Sequence, residues 1–277
     1  MLKSITGRIR NFYDSAIIDS LTIDGDSSYR IVGIDGIGPV KADISTVASA
    51  TEVGGSFVSY TQGNRNIVLT LGYDPRGGET ITDLRDRLSR IFYVGSKVEL
   101  LLDTVKYGVV TTLGQVESAD PVYMAKDPTI QISLICPIPS FELPGGYTQF
   151  EIPKDSTKDF VITLEHDVPI GFYLEATFSQ AISQAQSVGL VVNNEVAGGF
   201  YTNNYPFDIG DTLKVNTERG SRYISRVRSS ESTNILGYMR GTLTMTKLRR
   251  GDNFLRFSQP FAVSSAFIRY KERIGGI

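Results

Sequence analysis

The clearest pattern of apolar and polar positions lies between Asp211 and Phe257. Leu213 and Val215 alternate with Lys214 and Asn216, the period of two that gives a strand one wet and one dry face. Glu218-Arg219-Gly220-Ser221 predicts a turn, after which Arg222–Arg228 returns as a basic strand. Ser229–Asn234 reads as a polar loop, Thr242–Thr246 as a third strand, and Arg249–Asp252 as a turn into a fourth, Asn253–Phe257. Short strands between regularly spaced turns predict an antiparallel sandwich.

Earlier in the chain the pattern is mixed. Leu21 and Ile23, then Tyr29 and Ile31, flank the polar stretch Asp24–Ser28 and predict a hairpin. Ser45–Gly55 is too rich in small and polar residues to build a core, which marks it as a functional or partner-covered loop. Phe57–Tyr60 and Ile67–Leu71 bracket the turn residues Gln62–Arg65, a second expected hairpin. One helix stands out, from about Ile81 to Tyr93, with Leu84, Leu88, Ile91 and Phe92 on one stripe. Thr80 and Asp83 have the spacing of a capping box, and Gly95 is placed to stop the helix. Strands follow at Lys97–Leu102, Val109–Val116 and Ile130–Ile135, so this part reads as an α+β module.

Pro137, Pro139, Pro144 and Pro153 surround Gly145-Gly146, and no continuous sheet crosses such a segment. The expected domains are therefore 1–142 and 143–277, the second opening with strands at Asp159–Leu164 and Phe172–Phe178. The fold class is mainly β: a β-rich α+β domain with one helix, then an antiparallel β-sandwich.

Composition narrows function mostly by exclusion. The net charge of −2 gives no general attraction to nucleic acid or anionic membrane. Residues 1–142 carry 13 Lys+Arg against 17 Asp+Glu, and the remainder 15 against 13, a mild asymmetry of −4 and +2. A single cysteine, Cys136, permits no internal disulfide. The first residues lack the apolar core of a signal peptide, and no apolar run reaches membrane-helix length, so the expectation is a soluble protein made in the cytoplasm, with no membrane insertion.

Catalytic chemistry is thin. One histidine, His166, and one cysteine do not supply a zinc site or a hydrolytic triad, and Cys136, at the end of an apolar strand, reads as a buried inert thiol. Asp24–Asp35 partly mimics a calcium loop, but Tyr29 stands where that loop needs glycine. Arg250-Gly251-Asp252 spells an integrin-type tripeptide that ordinary turn chemistry also explains. No phosphate loop and no paired-carboxylate arrangement is present, so neither an enzyme nor a cofactor or metal is expected. Gly198–Phe207 combines aromatic rings with amides, the chemistry that holds sugars by stacking and planar hydrogen bonds. Tyr201, Asn203 and Tyr205 are its candidate glycan or partner contacts, although such rings more commonly plug one end of a sandwich or meet a neighbouring subunit. Residues 214–273 hold 13 Lys+Arg, several alternating with apolar residues as on the wet face of a sheet or a contact with an acidic partner.

Taken together, the chain resembles the distal tail proteins of long-tailed bacteriophages. The resemblance is carried by the two-part layout around Ile135-Cys136-Pro137-Ile138-Pro139-Ser140-Phe141 and by the stretches Gly210–Glu218 and Leu248–Phe257, whose Arg250-Gly251-Asp252-Asn253 turn matches the family's. The ending Ile268-Arg269-Tyr270 through Gly275-Gly276-Ile277 also fits. The resemblance implies a virion protein at the distal end of the tail: a homohexameric ring, or belt, formed by the first domain, with the second a galectin-like sandwich pointing outward. Its partners would be further copies of itself, the tail tube protein above, and tail-tip or receptor-binding proteins below. Genomic DNA would cross the lumen without specific binding, which suits the −4 balance of residues 1–142. Val53, Phe57, Tyr60 and Ile67, in the arm 45–56 and the hairpin after it, are the candidate subunit-interface residues. Two alternatives remain, a carbohydrate-binding adhesin and another ring protein of the tail-tube or terminator type.

Overall fold

The computed structural model describes residues 2–10, 17–48, 53–122, 126–154, 159–166, 168–193, 199–241, 243 and 246–277. The chain divides into two compact units, Met1–Pro144 together with Ile274–Ile277, and Gly145–Arg273.

The first unit contains β1 (Leu2–Arg10), β2 (Ile17–Ile23), β3 (Tyr29–Asp35), β4 (Ala42–Ala48), β5 (Gly55–Gln62), β6 (Arg65–Tyr73), α1 (Ile81–Ile91), β7 (Lys97–Thr104), β8 (Gly108–Pro121), β9 (Thr129–Cys136) and β10 (Phe141–Glu142). Seven of the strands form a continuous antiparallel path, β2-β1-β7-β8-β9-β6-β3. One face of this sheet is dry because alternate residues are apolar: Val98, Leu100 and Leu102 on β7, and Ile67, Leu69 and Leu71 on β6. The apolar stripe of α1 covers that face, with Leu84, Leu88, Ile91 and Phe92 all buried in the same core. Its start is the capping box expected from sequence, Asp83 N–H donating to Thr80 Oγ1 at 3.2 Å and Thr80 N–H to Asp83 Oδ2 at 2.9 Å.

Two expected hairpins do not form. β2 and β3 lie at opposite ends of the strand order, β2 on β1 and β3 on β6. A flat path of seven strands would separate its ends by about 29 Å, whereas the five-residue turn 24–28 spans about 20 Å at most. The sheet must therefore curl until its two edge strands approach one another. The second hairpin fails because β6 pairs with β3 and β9, while β5 pairs with β4. Alternate side chains of β6 enter the core, but every residue of β5 is exposed, so the two strands belong to different surroundings.

The second unit contains β11 (Thr148–Glu151), β12 (Phe160–Leu164), β13 (Tyr173–Phe178), β14 (Val188–Val192), β15 (Phe200–Thr202), β16 (Thr212–Asn216), β17 (Tyr223–Arg228), β18 (Glu231–Asn234), β19 (Met239–Gly241), β20 (Gly251–Phe257) and β21 (Val263–Tyr270). Six strands form one sheet, β11-β21-β13-β16-β17-β18, and five form another, β12-β20-β14-β15-β19. Leu174, Ala176, Leu213 and Val215 from the first share one core with Leu190, Phe200, Leu255 and Phe257 from the second, which makes the unit a sandwich.

Ser229–Asn234 is not a loop. Ser229 and Ser230 adopt positive φ values of 45° and 72°, and the two-residue turn they form carries β17 straight into β18. β19 ends at Gly241, and of the strand expected at Thr242–Thr246 the residues Thr242, Thr244 and Met245 lie outside the described residues.

Candidate subunit interface

β4 and β5 form a two-stranded antiparallel ribbon of their own, from Ala42 opposite Gln62 to Ala48 opposite Gly55. The pairing shifts between Ser45 and Thr46: Ser45 faces Ser59, but Thr46 faces Phe57, leaving Val58 unmatched. A bulge of this kind resets the alternation of side chains. It brings Phe57 onto the face that carries Ile44 and Tyr60, and the Phe57 and Tyr60 rings stand 6.4 Å apart. Ile44, Val47, Phe57, Val58 and Tyr60 are each more than half exposed, and Val53 near the tip is fully so.

Such a ribbon is unusual on a lone chain. Isolated two-stranded ribbons are marginally stable in water, and their outer edges offer unpaired N–H and C=O groups to any strand that approaches. Here the described residues of β4 and β5 pair only with each other. The segment thus combines open edges with an apolar face, the two requirements for strand-on-strand association. Of the four residues singled out from sequence, Phe57 and Tyr60 lie on β5 and Val53 stands two residues before it. Ile67 does not: it is fully buried on β6 in the core under α1 and presents no surface to a partner.

The aromatic loop is also rearranged. Tyr201 is exposed on β15 and Asn203 half-buried, but Tyr205 is buried. Its ring meets Phe207 at 5.4 Å and Tyr238 at 4.8 Å, and the Arg226 guanidinium lies 5.5 Å from its centre. Tyr205 therefore packs the end of the sandwich core, and the three residues do not converge on one platform.

Cys136 is buried, and burial raises its thiol above the usual range. His166 Nε2 lies 3.0 Å from Glu272 Oε2. In the Arg250-Gly251-Asp252 turn, buried Asn253 accepts the Arg249 N–H at 2.8 Å and donates to the carbonyls of Arg249, Gly251 and Ile162. Asp252 accepts the Thr163 hydroxyl at 2.7 Å. This turn is a joint of the sandwich. Among the described residues no group of three or more His, Cys, Asp or Glu is arranged to hold a metal, and no helix is long and apolar enough to cross a membrane.

Sequence reasoning missed one organising side chain altogether. Arg65, the first residue of β6, is almost wholly buried. Its guanidinium donates to four backbone carbonyls, to Gly36 and to Gly38 at 2.7 Å, Pro139 at 2.7 and 3.1 Å, and Gly275 at 2.5 Å. It also lies 4.4 Å from the centre of the Phe141 ring. Burial pushes its pKa below the ordinary arginine value. The flat five-donor fork of arginine is what lets one residue tie three distant segments together.

No protein-family model matches the sequence, and neither does any curated protein. The fold itself is similar, over its full length, to that of phage tail hub proteins. One solved structure with this likeness is the SPP1 Dit (gp 19.1) protein, described as a paradigm of the hub adsorption apparatus in phages infecting Gram-positive hosts. It is 13% identical, with 98% of this chain and 99% of that one aligned at a TM-score of 0.65. A chain of the phage P2 baseplate in its activated conformation with Ca aligns over 100% of both chains, at 9% identity and a TM-score of 0.47.

Proposed function

We propose that this chain is a structural hub subunit of a phage tail tip, whose first unit closes head-to-tail into a ring through the ribbon β4–β5. The observation that carries the reading is the ribbon itself, an apolar, open-edged pair of strands in which 43–48 and 55–62 are all exposed. Identical copies that each offer one such arm to the next generate a closed ring when the rotation between them closes, and an open filament when it does not. The full-length fold likeness to SPP1 Dit supports this role over that of an enzyme. On this reading the ring is a hexamer at the distal end of the tail. It joins the tube to tip or receptor-binding proteins and lets DNA through a lumen that does not hold phosphate. The second unit serves as the outward-facing sandwich, galectin-like in its two antiparallel sheets.

Mass photometry and negative-stain imaging of the purified protein test this reading. Discrete rings are the expected result, with Phe57→Asp and Tyr60→Asp reducing the species to the 30.4 kDa monomer at unchanged thermal stability. A wild-type protein that stays monomeric at micromolar concentration refutes the proposal. Long filaments would reassign the chain to a tube protein.

A further inference from the structure

The outward face of the six-stranded sheet carries side chains in two rows. Register places Gln149, Arg269, Tyr173, Asn216 and Tyr223 side by side across five strands. One pair of residues further along, Glu151, Phe267, Glu175, Lys214, Ser225 and Asn234 form the second row. These groups are held in place by one another. The Tyr173 hydroxyl donates to the Glu175 carboxylate, and Lys214 Nζ lies 3.6 Å from the same group. Arg269 Nε donates to Gln149 Oε1 at 2.6 Å, while its guanidinium sits 4.5 Å from the centre of the Phe267 ring.

Two depressions open along this face. One, of 220 Å³, is lined by Tyr147, Tyr173, Asn216, Glu218, Arg269 and Lys271. The other, broader and of 570 Å³, is lined by Lys214, Tyr223, Ser225, Val227, Ser232 and Asn234. Asn216 of the first depression faces Tyr223 of the second across neighbouring strands, so the two are adjacent. From Arg269 to Tyr223 the face spans three strand spacings, about 14 Å. The smaller depression lies below the roughly 300–1,000 Å³ of sites that enclose a whole drug-sized ligand. The broader one falls within that range but is open to solvent, and it adjoins the smaller one across the strands, an arrangement that suits successive units of an extended chain.

We propose that this face binds a neutral polysaccharide chain. Carboxylate, amide and guanidinium groups in fixed planes match vicinal hydroxyls, and exposed tyrosine rings take the apolar face of a sugar ring. Tyr147 and Tyr223 are the exposed rings, one in each depression. The charges of the two rows cancel, Glu151 and Glu175 against Lys214 and Arg269, so no field selects an anionic polymer. The face lacks the contiguous apolar core expected of a protein partner. The glycan candidate thus moves from the Gly198–Phe207 loop, where Tyr205 is buried, to the opposite sheet.

Affinity electrophoresis of the full-length protein in gels containing dextran, galactomannan or mixed-linkage β-glucan tests the proposal, with polygalacturonate as the anionic arm. At least one neutral polymer should retard the wild type. Tyr147→Ala and Tyr223→Ala should weaken that retardation about fivefold or more, with Tyr201→Ala behaving as wild type. Both altered rings are exposed, and circular dichroism confirms that each variant keeps the fold. Retardation by none of the neutral polymers, by polygalacturonate alone, or equally in all variants overturns the proposal and leaves the face to a protein partner. Ring formation is not required for any of these outcomes, so this inference and the hub reading fail separately.

Discussion

Replacing Arg65 tests most directly what holds the first unit together. Arg65→Ala removes the donors to the carbonyls of Gly36, Gly38, Pro139 and Gly275, and with them the cation above the Phe141 ring. Each stranded buried carbonyl costs on the order of 1 kcal/mol. Four of them, together with the lost ring contact and offset by relief of a buried charge, give an expected loss of about 3–5 kcal/mol. Arg65→Lys keeps the charge but offers three donors from one point, which cannot span four carbonyls set around a plane, so about 2 kcal/mol should be lost. Urea unfolding followed by far-ultraviolet circular dichroism and tyrosine fluorescence measures both, the chain having no tryptophan. The two units need not unfold together, so the shift should fall on one transition if two are seen. The Gly275 contact adds an internal check. Deleting residues 274–277 should cost less in the Arg65→Ala background than in the wild type, because the two changes remove a shared bond. A loss below about 1 kcal/mol for Arg65→Ala, or strictly additive effects of the two changes, would refute the assignment of Arg65 as the tie.

Other outcomes follow from local geometry. Gly36 has φ +77°, and an added Cβ would stand 1.8 Å from the Asn66 carbonyl oxygen, so Gly36→Ala should lower stability by about 2 kcal/mol or more in the same urea assay. Tyr205→Ala should cost about 3 kcal/mol as a core truncation, whereas Tyr201→Ala should stay within about 0.5 kcal/mol; equal effects in thermal melts would contradict the placement of these rings. Burial acts to raise the pKa of Asp211, but the Arg228 guanidinium and the Asp208 N–H override it and hold the carboxyl below the usual range. A depressed folded-state value stabilises above the unfolded value and is lost as pH falls through the folded one. The urea midpoint should therefore drop between about pH 5 and pH 2, and Asp211→Asn should flatten that part of the curve.

Features read correctly from sequence were those in which cause and effect lie close together along the chain. The stripe of α1 and its Thr80–Asp83 box depend on residues within four positions of one another, and both appear as expected. Strand existence was legible for the same reason, as at Thr212–Asn216, where alternation alone decides. Pairing was not. Whether β5 meets β4 or β6 depends on which side chains find a core, and Phe57 looks as apolar in sequence as Ile67 while facing the opposite environment. The bulge at Val58 left no signature in residue type, and the Ser229-Ser230 turn uses serines where glycine or asparagine is the usual signal. Arg65 was invisible because its partners are backbone carbonyls from segments as far away as Gly275, which no residue pattern encodes.

The separation between folding and surface roles explains why the chain holds so little recognisable chemistry. The cores under α1 and inside the sandwich use the apolar residues that alternation predicts, and the ribbon side chains Ile44, Phe57 and Tyr60 take no part in either. Fully burying an apolar side chain is worth about 1.5–3 kcal/mol, and in the lone chain more than half of each of the three remains exposed. Their contribution can be recovered only by association. Association also supplies strand partners for edges that would otherwise invite uncontrolled pairing. On the proposed ring reading, the ribbon couples two needs, protection of its own edges and cohesion between copies. Substitutions in it should alter assembly while leaving the fold intact, the reverse of what is expected at Arg65.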